Sequence, residues 1–160
     1  ECIARIRRYA PETIIVIGSY DYNDVRAVKD LDAPQDALVA YSFHCYEPHD
    51  FTHQGAYWDP RLDREKRVAF CDSGTTEEMF EELFGSALAK AAEHGADLYC
   101  GEYGVIDVVP PEDALEWYKV IHRVFERHGI SRTAWSYKEM DFGISDARMD
   151  KVRDELINCL

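Results

Sequence analysis

The sequence has no hydrophobic run long enough to cross a membrane, and its basic residues are few beside its acidic ones. A membrane-spanning helix needs about 20 consecutive apolar residues, and no stretch of this chain approaches that length. The 160 residues include 18 lysines and arginines against 31 aspartates and glutamates, which gives a formal net charge of −13. Because this negative charge repels phosphate backbones, we predict no membrane and no nucleic-acid partner, whereas a neutral ligand would be unaffected.

Closely spaced cysteine pairs are also missing. The five cysteines are odd in number and lie at positions 2, 45, 71, 100 and 159, with none of the short spacings of a zinc knuckle or a redox motif. Cys45 and Cys100 sit in apolar runs, where a free cysteine behaves as a small buried hydrophobic residue. A scaffold stapled by disulfides is therefore disfavoured.

The length suits one compact domain, residues 1–160, and is too short for two domains of ordinary size. The chain begins with glutamate, and its first residues follow a helical pattern that Pro11 ends, with nothing like an N-cap before Cys2. We therefore expect a fragment that starts in the last part of a helix, and no signal peptide can be seen because the place for one is missing.

Short apolar runs alternate with helical patterns along the whole chain. The runs predict strands at 13–17, 38–46, 98–103 and 133–137, and the helical patterns predict helices at 24–31, 76–94, 111–128 and 146–160. Thr75 and Glu78 have the spacing of a capping box at the start of the second helix. Each strand–helix unit takes roughly 35 to 45 residues, close to the size of the units of an eight-fold α/β barrel.

Nearly continuous apolar strands separated by helices predict a parallel sheet covered by helices. Two architectures fit four such units: half of an eight-stranded barrel, or a complete doubly wound sheet. No glycine-rich phosphate loop follows any of the predicted strands, which favours the barrel, but periodicity alone leaves both architectures open.

Unusual polar and aromatic residues fall where three of the predicted strands end. Alternation places His44 and Tyr46 on one face of the second strand, with Cys45 on the other. Glu102 closes the third strand, and Trp135 lies on the fourth. Each has a plainer interpretation, as a structural histidine, an ion-paired glutamate or a core tryptophan. Because chemistry in parallel α/β folds collects at the C-terminal ends of the strands, their convergence on that end favours a functional site.

A metal centre is the competing interpretation of the second strand and its loop. His44, Glu47 and His53 carry the imidazole and carboxylate groups that suit zinc or iron. The spacing of these residues matches no known metal-binding motif, so we predict no metal. A metal-dependent hydrolase remains an alternative.

Four segments resemble glycoside hydrolase family 5, the cellulase superfamily of eight-stranded barrels. YSFHCYEPHDFTHQGAYW at 41–58 is similar to the family's sixth strand and its loop, and GEYG at 101–104 to the end of the seventh. TAWSYKEMDFGISD at 133–146 resembles the eighth strand, and IIVIGSYDYNDV at 14–25 the fifth. The resemblance implies an α/β fold that is the C-terminal half, strands five to eight, of a TIM (β/α)8 barrel, with four βα units and parallel strands.

The resemblance also implies roles in a retaining glycosidase. Glu102 would be the nucleophile, Tyr46 would donate a hydrogen bond to it, and His44 would bind the sugar or orient that pair. The family's acid/base glutamate follows an asparagine on the fourth strand, which lies before this chain. We therefore expect the isolated 160 residues to be inactive, and the reaction to need no metal or cofactor.

The same resemblance implies a β-linked polysaccharide or oligosaccharide as the substrate, a β-1,4-glucan first, with mannan and xylan as alternatives. Trp135 would offer its aromatic face to a sugar ring, and Trp58 and Lys138 would extend the cleft. An extracellular location is expected because a polymer cannot enter a cell. A non-catalytic carbohydrate-binding or degenerate barrel fragment remains the other alternative. Open sheet edges would favour a homodimer.

Overall fold

The computed structural model describes residues 1–34 and 36–160, and within them four strands form one parallel sheet in the order of the chain. The strands are β1 (Ile15–Gly18), β2 (Val39–Cys45), β3 (Asp97–Tyr103) and β4 (Ser131–Arg132). Each strand pairs in parallel with the one before it. A doubly wound sheet reverses its strand order at a switch point, whereas a barrel adds each strand on the same side. The uninterrupted order confirms the half-barrel prediction.

Helical segments connect and cover the strands. They are α1 (Cys2–Arg7), α2 (Tyr20–Asn23), α3 (His49–Thr52), α4 (Glu77–His94), α5 (Pro111–His128) and α6 (Arg153–Ile157), with 3₁₀ turns at Val25–Asp30, Phe70–Asp72 and Ala147–Met149. The short α2 is a turn with positive φ angles rather than a regular right-handed helix. Among the described residues, no helix is both long and apolar enough to cross a membrane. The bounds of α4 and α5 agree with the predicted helices to within one residue. The shorter predicted helices differ from the structure.

The segment predicted as a last helix, 146–160, is a 3₁₀ turn followed by the five residues of α6. Its apolar residues are nevertheless buried at helical spacing: Met149, Val152, Leu156 and Cys159. Tight i→i+3 bonds, such as Met149 N to Asp146 O at 2.8 Å, keep these side chains on one side without a continuous helix. The predicted helix at 24–31 is likewise a 3₁₀ helix, Val25–Asp30.

The N-cap of α4 lies one residue after its predicted position. The Thr76 hydroxyl accepts a hydrogen bond from the Met79 amide at 3.1 Å. Thr75 cannot serve because its hydroxyl accepts from Ser73 instead, at 2.7 Å. At the other end of the helix, Gly95 adopts a left-handed conformation with φ of 60°, as a C-terminal glycine is expected to do.

The hydrophobic core lies between the sheet and the pair α4 and α5. Phe43 on β2 packs against Phe84 on α4 with ring centroids 5.3 Å apart, and Tyr103 on β3 packs against Phe125 on α5 at the same distance. Cys45 and Cys100 point to this side and are buried, as the apolar runs predicted, and burial raises the pKa of the Cys45 thiol to about 12. The opposite side of the sheet is left for polar groups.

The predicted fourth strand, 133–137, has the wrong bounds. Regular pairing covers only Ser131–Arg132, yet the chain continues beside β3, since Thr133 N donates to Cys100 O and Trp135 N donates to Tyr103 O, each at 2.9 Å. The acceptors are three residues apart while the donors are two apart, so the ladder loses its regular register. An irregularity in β3 causes this mismatch.

Candidate active site

A bulge in β3 brings a carboxylate opposite a histidine. Phe43 pairs with Cys100, but the next residue, His44, pairs with Glu102, so that Gly101 is the extra residue. Bulges of this kind change the direction in which a strand presents its side chains. A Cβ atom on Gly101 would lie 3.1 Å from Ser42 Oγ and 3.4 Å from His44 Nε2, so glycine lets the two strands approach here.

The side chains of β2 converge on one oxygen of this carboxylate. The Tyr46 hydroxyl donates a hydrogen bond to Glu102 Oε2 at 2.9 Å, and His44 Nδ1 lies 3.3 Å from the same oxygen. The plainer interpretation of Glu102, an ion pair with Lys138, does not hold, because Lys138 Nζ lies 4.0 Å from Glu139 instead. The Tyr46 hydrogen bond and the His44 contact both fall on Oε2, and the described residues provide no hydrogen-bond partner for Oε1.

Both donors are neutral groups. Burial lowers the pKa of His44, against the opposing attraction of the Glu102 charge. Burial first, and then the Glu102 charge, raises the pKa of the Tyr46 hydroxyl well above its ordinary value. Each shift favours the neutral form of its group near neutral pH.

The ring of Tyr46 is held by aromatic neighbours. It meets His53 edge-on with centroids 4.9 Å apart and Phe142 at 5.7 Å. The hydroxyl of Thr52 bonds to the backbone oxygen of Tyr46. The tyrosine is thus fixed at both its backbone and its ring, so its hydroxyl has little freedom to leave the carboxylate.

A second polar group forms the neighbouring wall. His49 stacks on His53 with centroids 4.3 Å apart, and His49 Nε2 lies 2.9 Å from Asp59 Oδ2. The guanidinium and amide of Arg61 bind the buried Asp59 and hold the pKa of its carboxyl well below the usual range. Sequence reasoning missed Asp59 and Arg61, since neither lies on a strand or in a recognisable motif.

The three residues of the metal alternative do not form a ligand set. Glu47 Oε1 pairs with Arg26 at 3.0 Å, and His44 faces Glu102. Across residues 1–34 and 36–160, no group of three or more His, Cys, Asp or Glu side chains is placed to hold a metal ion.

An open cleft of about 970 Å³ runs past these groups. Glu102, His44, Tyr46 and Trp58 line it, together with residues of the β1 and β2 loops. Trp135 and Lys138 are not among its lining residues. Trp135 is 37 % exposed and is bonded through its amide to the residue after Glu102, so it lies on the β4 side of the carboxylate. Glu102 therefore lines the cleft, and the backbone of Trp135 runs beside the end of β3.

This arrangement can be compared with known proteins. Residues 1–141 match the sequence profile described as Cellulase (glycosyl hydrolase family 5). The chain belongs to glycosyl hydrolase family 5. The predicted relationship to this family is thereby confirmed. The relatives that the chain matches are named as a cellodextrinase and as endoglucanases.

Two curated relatives illustrate the family match. The chain is 57 % identical to Cellodextrinase A of Ruminococcus flavefaciens over 131 residues, which is 82 % of this chain and 39 % of that protein. It is 28 % identical to Endoglucanase C of Acetivibrio thermocellus over 184 aligned positions, which is 100 % of this chain and 54 % of that protein. The family-5 chain thus spans about half or less of the length of the relatives that it matches.

The fold comparison gives the same picture. The crystal structure of the clostridial cellulose synthase subunit Z from Clostridioides difficile superposes with a TM-score of 0.83 at 24 % identity. The match covers 97 % of this family-5 chain and 52 % of the solved one. Four parallel βα units that fill about half of such a chain are consistent with half of its barrel.

Proposed function

We propose that the protein containing this chain is a retaining glycoside hydrolase of the endo-β-1,4-glucanase type, with Glu102 as its nucleophile. The observation that carries the proposal is the convergence of Tyr46 and His44 on a single oxygen, Oε2. A nucleophilic carboxylate must remain charged and must point one lone pair at the substrate. A hydrogen bond from Tyr46 and a close imidazole, both at Oε2, stabilise the charge and leave Oε1 available for attack.

The reaction would proceed by two displacements. In the first, Oε1 attacks the anomeric carbon, the bond from that carbon to the leaving oxygen breaks, and an acid protonates the leaving oxygen. In the second, water attacks the same carbon, gives a proton to the conjugate base of that acid, and releases Glu102 as a carboxylate. In retaining enzymes the two carboxyl groups lie about 5–5.5 Å apart. Sequence reasoning assigned no second catalytic carboxyl group within residues 1–160.

The proposed substrate is a β-1,4-linked glucan or an oligosaccharide derived from it. The names of the two relatives, a cellodextrinase and an endoglucanase, support this class. Trp58 lines the cleft with Glu102, and Trp135 follows β4. Both are partly exposed, and each would stack on the apolar face of a pyranose ring. Lys138, 62 % exposed, extends the proposed sugar-binding surface on the β4 side. Extracellular action is part of the proposal because a polymeric glucan stays outside the cell.

For residues 1–160 alone we propose two further properties. The isolated chain would not hydrolyse glucan, because the proton donor of the first displacement is not assigned to any of its residues. It would also associate with a second copy, because β1 and β4 each have a strand on one side only among the described residues. Open strand edges tend to pair with another chain.

Glu102→Gln tests the proposed function in the longest natural form of the protein that contains this sequence. The amide keeps the size of the side chain but is a poor nucleophile, so turnover of soluble β-glucan should fall by at least about 10³-fold. Circular dichroism and the thermal midpoint should stay unchanged. An activated 2-deoxy-2-fluoro-cellobioside should add one glycosyl mass to the wild-type peptide that contains Glu102, and none to the variant.

Glu139→Gln is the matched control, since Glu139 is 78 % exposed and its nearest cation is Lys138. It should keep wild-type turnover. Near-native activity of Glu102→Gln would show that Glu102 is not the nucleophile. Unchanged binding of cello-oligosaccharides by Glu102→Gln, together with no turnover by the wild type, would instead favour the non-catalytic carbohydrate-binding alternative.

A further inference from the structure

Three consecutive residues after β1 adopt a left-handed backbone without any glycine. Asp21, Tyr22 and Asn23 have φ values of 54°, 58° and 61°. Such a conformation costs roughly 1–2 kcal/mol for each L-residue, although aspartate and asparagine tolerate it best. The side chain of Tyr22 is 94 % exposed, so its packing does not hold the turn in place. The contacts of its neighbours must do so.

Contacts of Ser19, Asp24 and Asn23 hold the turn against the sheet. The hydroxyl of Ser19 donates to Asp24 O at 2.8 Å, and the backbone of Asp24 forms a parallel bridge with His44. The amide oxygen of Asn23 sits over Gly18, where a Cβ atom would come within 2.3 Å of it. The left-handed turn and the space above Gly18 together place the Asn23 side chain beside the end of β2.

The amide nitrogen of Asn23 then meets the imidazole of His44. Nδ2 lies 3.1 Å from His44 Nε2. A carboxamide NH₂ group can only donate, so Nε2 must accept and carries no proton. In a neutral imidazole the proton then resides on Nδ1, which is the atom 3.3 Å from Glu102 Oε2. The hydrogen bond that Nε2 accepts from Asn23 thus leaves the proton of the imidazole on Nδ1, the nitrogen that faces Glu102.

We propose that Asn23 is a positioning residue that fixes the Nδ1–H tautomer of His44 and thereby turns an N–H group, rather than a lone pair, toward Oε2 of Glu102. Its catalytic consequence rests on the proposed function of Glu102, whereas the tautomer itself does not. Burial, which lowers the pKa of His44, acts in the same direction by keeping the ring neutral.

The charged and titratable groups around the imidazole of His44 have other partners, so that Asn23 is the hydrogen-bond donor to Nε2. Glu102 on β3 faces Nδ1, and the hydroxyl of Tyr46, on the same strand as His44, is engaged with Glu102. The carboxylate of Asp24 is taken by the amide and guanidinium of Arg26. The hydrogen bond that Nε2 receives therefore comes from the amide of Asn23.

Asn23→Asp reverses the polarity of this contact and keeps the left-handed turn, because aspartate tolerates the same backbone. A carboxylate opposite Nε2 accepts a hydrogen bond, so His44 should take up a second proton. Nitrogen-15 NMR of histidine-labelled protein at pH 7 should show wild-type His44 protonated at Nδ1 alone. The variant should show both nitrogens protonated.

The same variant has a kinetic consequence in the longest natural form of the protein. An imidazolium beside Glu102 weakens the carboxylate as a nucleophile, so kcat should fall about tenfold at pH 7 while KM changes less than about twofold. The deficit should be larger below pH 7 than above it, because acid populates the imidazolium. A purely structural role would lower kcat by the same factor at every pH.

Asn158→Asp is the matched control, since the Asn158 amide also donates a single hydrogen bond, to Asp154 O at 3.0 Å on α6. It should leave the His44 spectrum and kcat unchanged. Unaltered His44 nitrogen signals in Asn23→Asp, or a wild-type ring protonated at Nε2, would overturn the inference. Such a result leaves the Glu102→Gln outcome intact, and a failure of Glu102→Gln leaves the tautomer measurement intact, so the two failures are distinguishable.

Discussion

The two faces of β2 and β3 are made by the same strands and have opposite characters. Phe43 and Cys100, on the face that meets α4 and α5, are completely buried. His44 and Glu102, on the other face, keep 23 % and 32 % of their side chains exposed and contact each other. Alternation along β2, together with the bulge at Gly101 in β3, therefore separates the residues that stabilise the fold from those proposed to perform the chemistry, although they are close in the sequence.

The faces also differ in how a side chain is held. Phe84 on the helical side is surrounded by rings, with Phe43 at 5.3 Å and both Phe80 and Phe125 at 5.7 Å, and no single contact fixes it. On the polar side, each position depends on one or two directed bonds, such as that from Tyr46 to Glu102. Loss of volume should therefore harm stability on the first face, and small displacements should harm activity on the second.

Removing a ring from the helical face should have the largest effect. Phe84→Ala leaves a cavity between α4 and the sheet, and substitutions of this type cost about 3–5 kcal/mol. Urea unfolding followed by circular dichroism gives the free energy of unfolding of both proteins. Ile157→Ala, at a side chain that is 60 % exposed, should change that free energy by less than about 0.5 kcal/mol. A loss below about 1 kcal/mol for Phe84→Ala would contradict the description of this face as a close-packed core.

Adding a single methyl group to the polar face should affect activity more than stability. In Gly101→Ala the new Cβ would press on Ser42 Oγ and on His44 Nε2, and so displace the imidazole from Glu102. We expect kcat to fall about tenfold with a stability loss of about 1 kcal/mol or less. Steady-state kinetics on soluble β-glucan and urea unfolding measure the two quantities.

Gly85→Ala makes the same change where it should help. Gly85 lies inside α4, and a Cβ there would meet nothing within 4 Å. Alanine is preferred over glycine in a helix by up to about 1 kcal/mol, so this variant should be slightly more stable and fully active. Equal kcat values for the two alanine variants would show that the spacing at Gly101 does not matter for His44.

The faces of the β2 residues could be predicted from the sequence, because strand alternation is a property of the backbone. His44 and Tyr46 share a face opposite Cys45 for that reason, and the long helices followed from their apolar periodicity and their terminal glycines. In β3 the bulge at Gly101 places Glu102 on the face opposite to that of Cys100, which simple alternation does not predict. The nucleophilic role of Glu102 came from resemblance to a family, which periodicity could not supply.

Features that depend on contacts between distant segments were not predictable from local patterns. The bulge at Gly101 lies where β2 and β3 approach closely, and the regular pairing of β4 with β3 ends at Cys100, just before it. The left-handed turn that delivers Asn23 carries only one hint in the sequence, namely aspartate and asparagine close after a strand that ends in glycine. Asp59 and Arg61 lie in a loop without any periodic signal.

The smallest expected effect concerns His53, which lies behind Tyr46 on the polar face. Burial, and then the neighbouring His49, lower the pKa of His53 to about 4, whereas an unfolded histidine titrates near 6.5. The unfolded chain therefore binds this proton first, so stability present above about pH 6.5 is lost as the pH falls toward 4. His53→Gln should remove this loss, and the fall in unfolding free energy between pH 7 and pH 5.5 should be about 1 kcal/mol smaller than in the wild type. Parallel pH curves for the two proteins would mean that water reaches His53, and that the polar face is looser around Tyr46 than its ring contacts indicate.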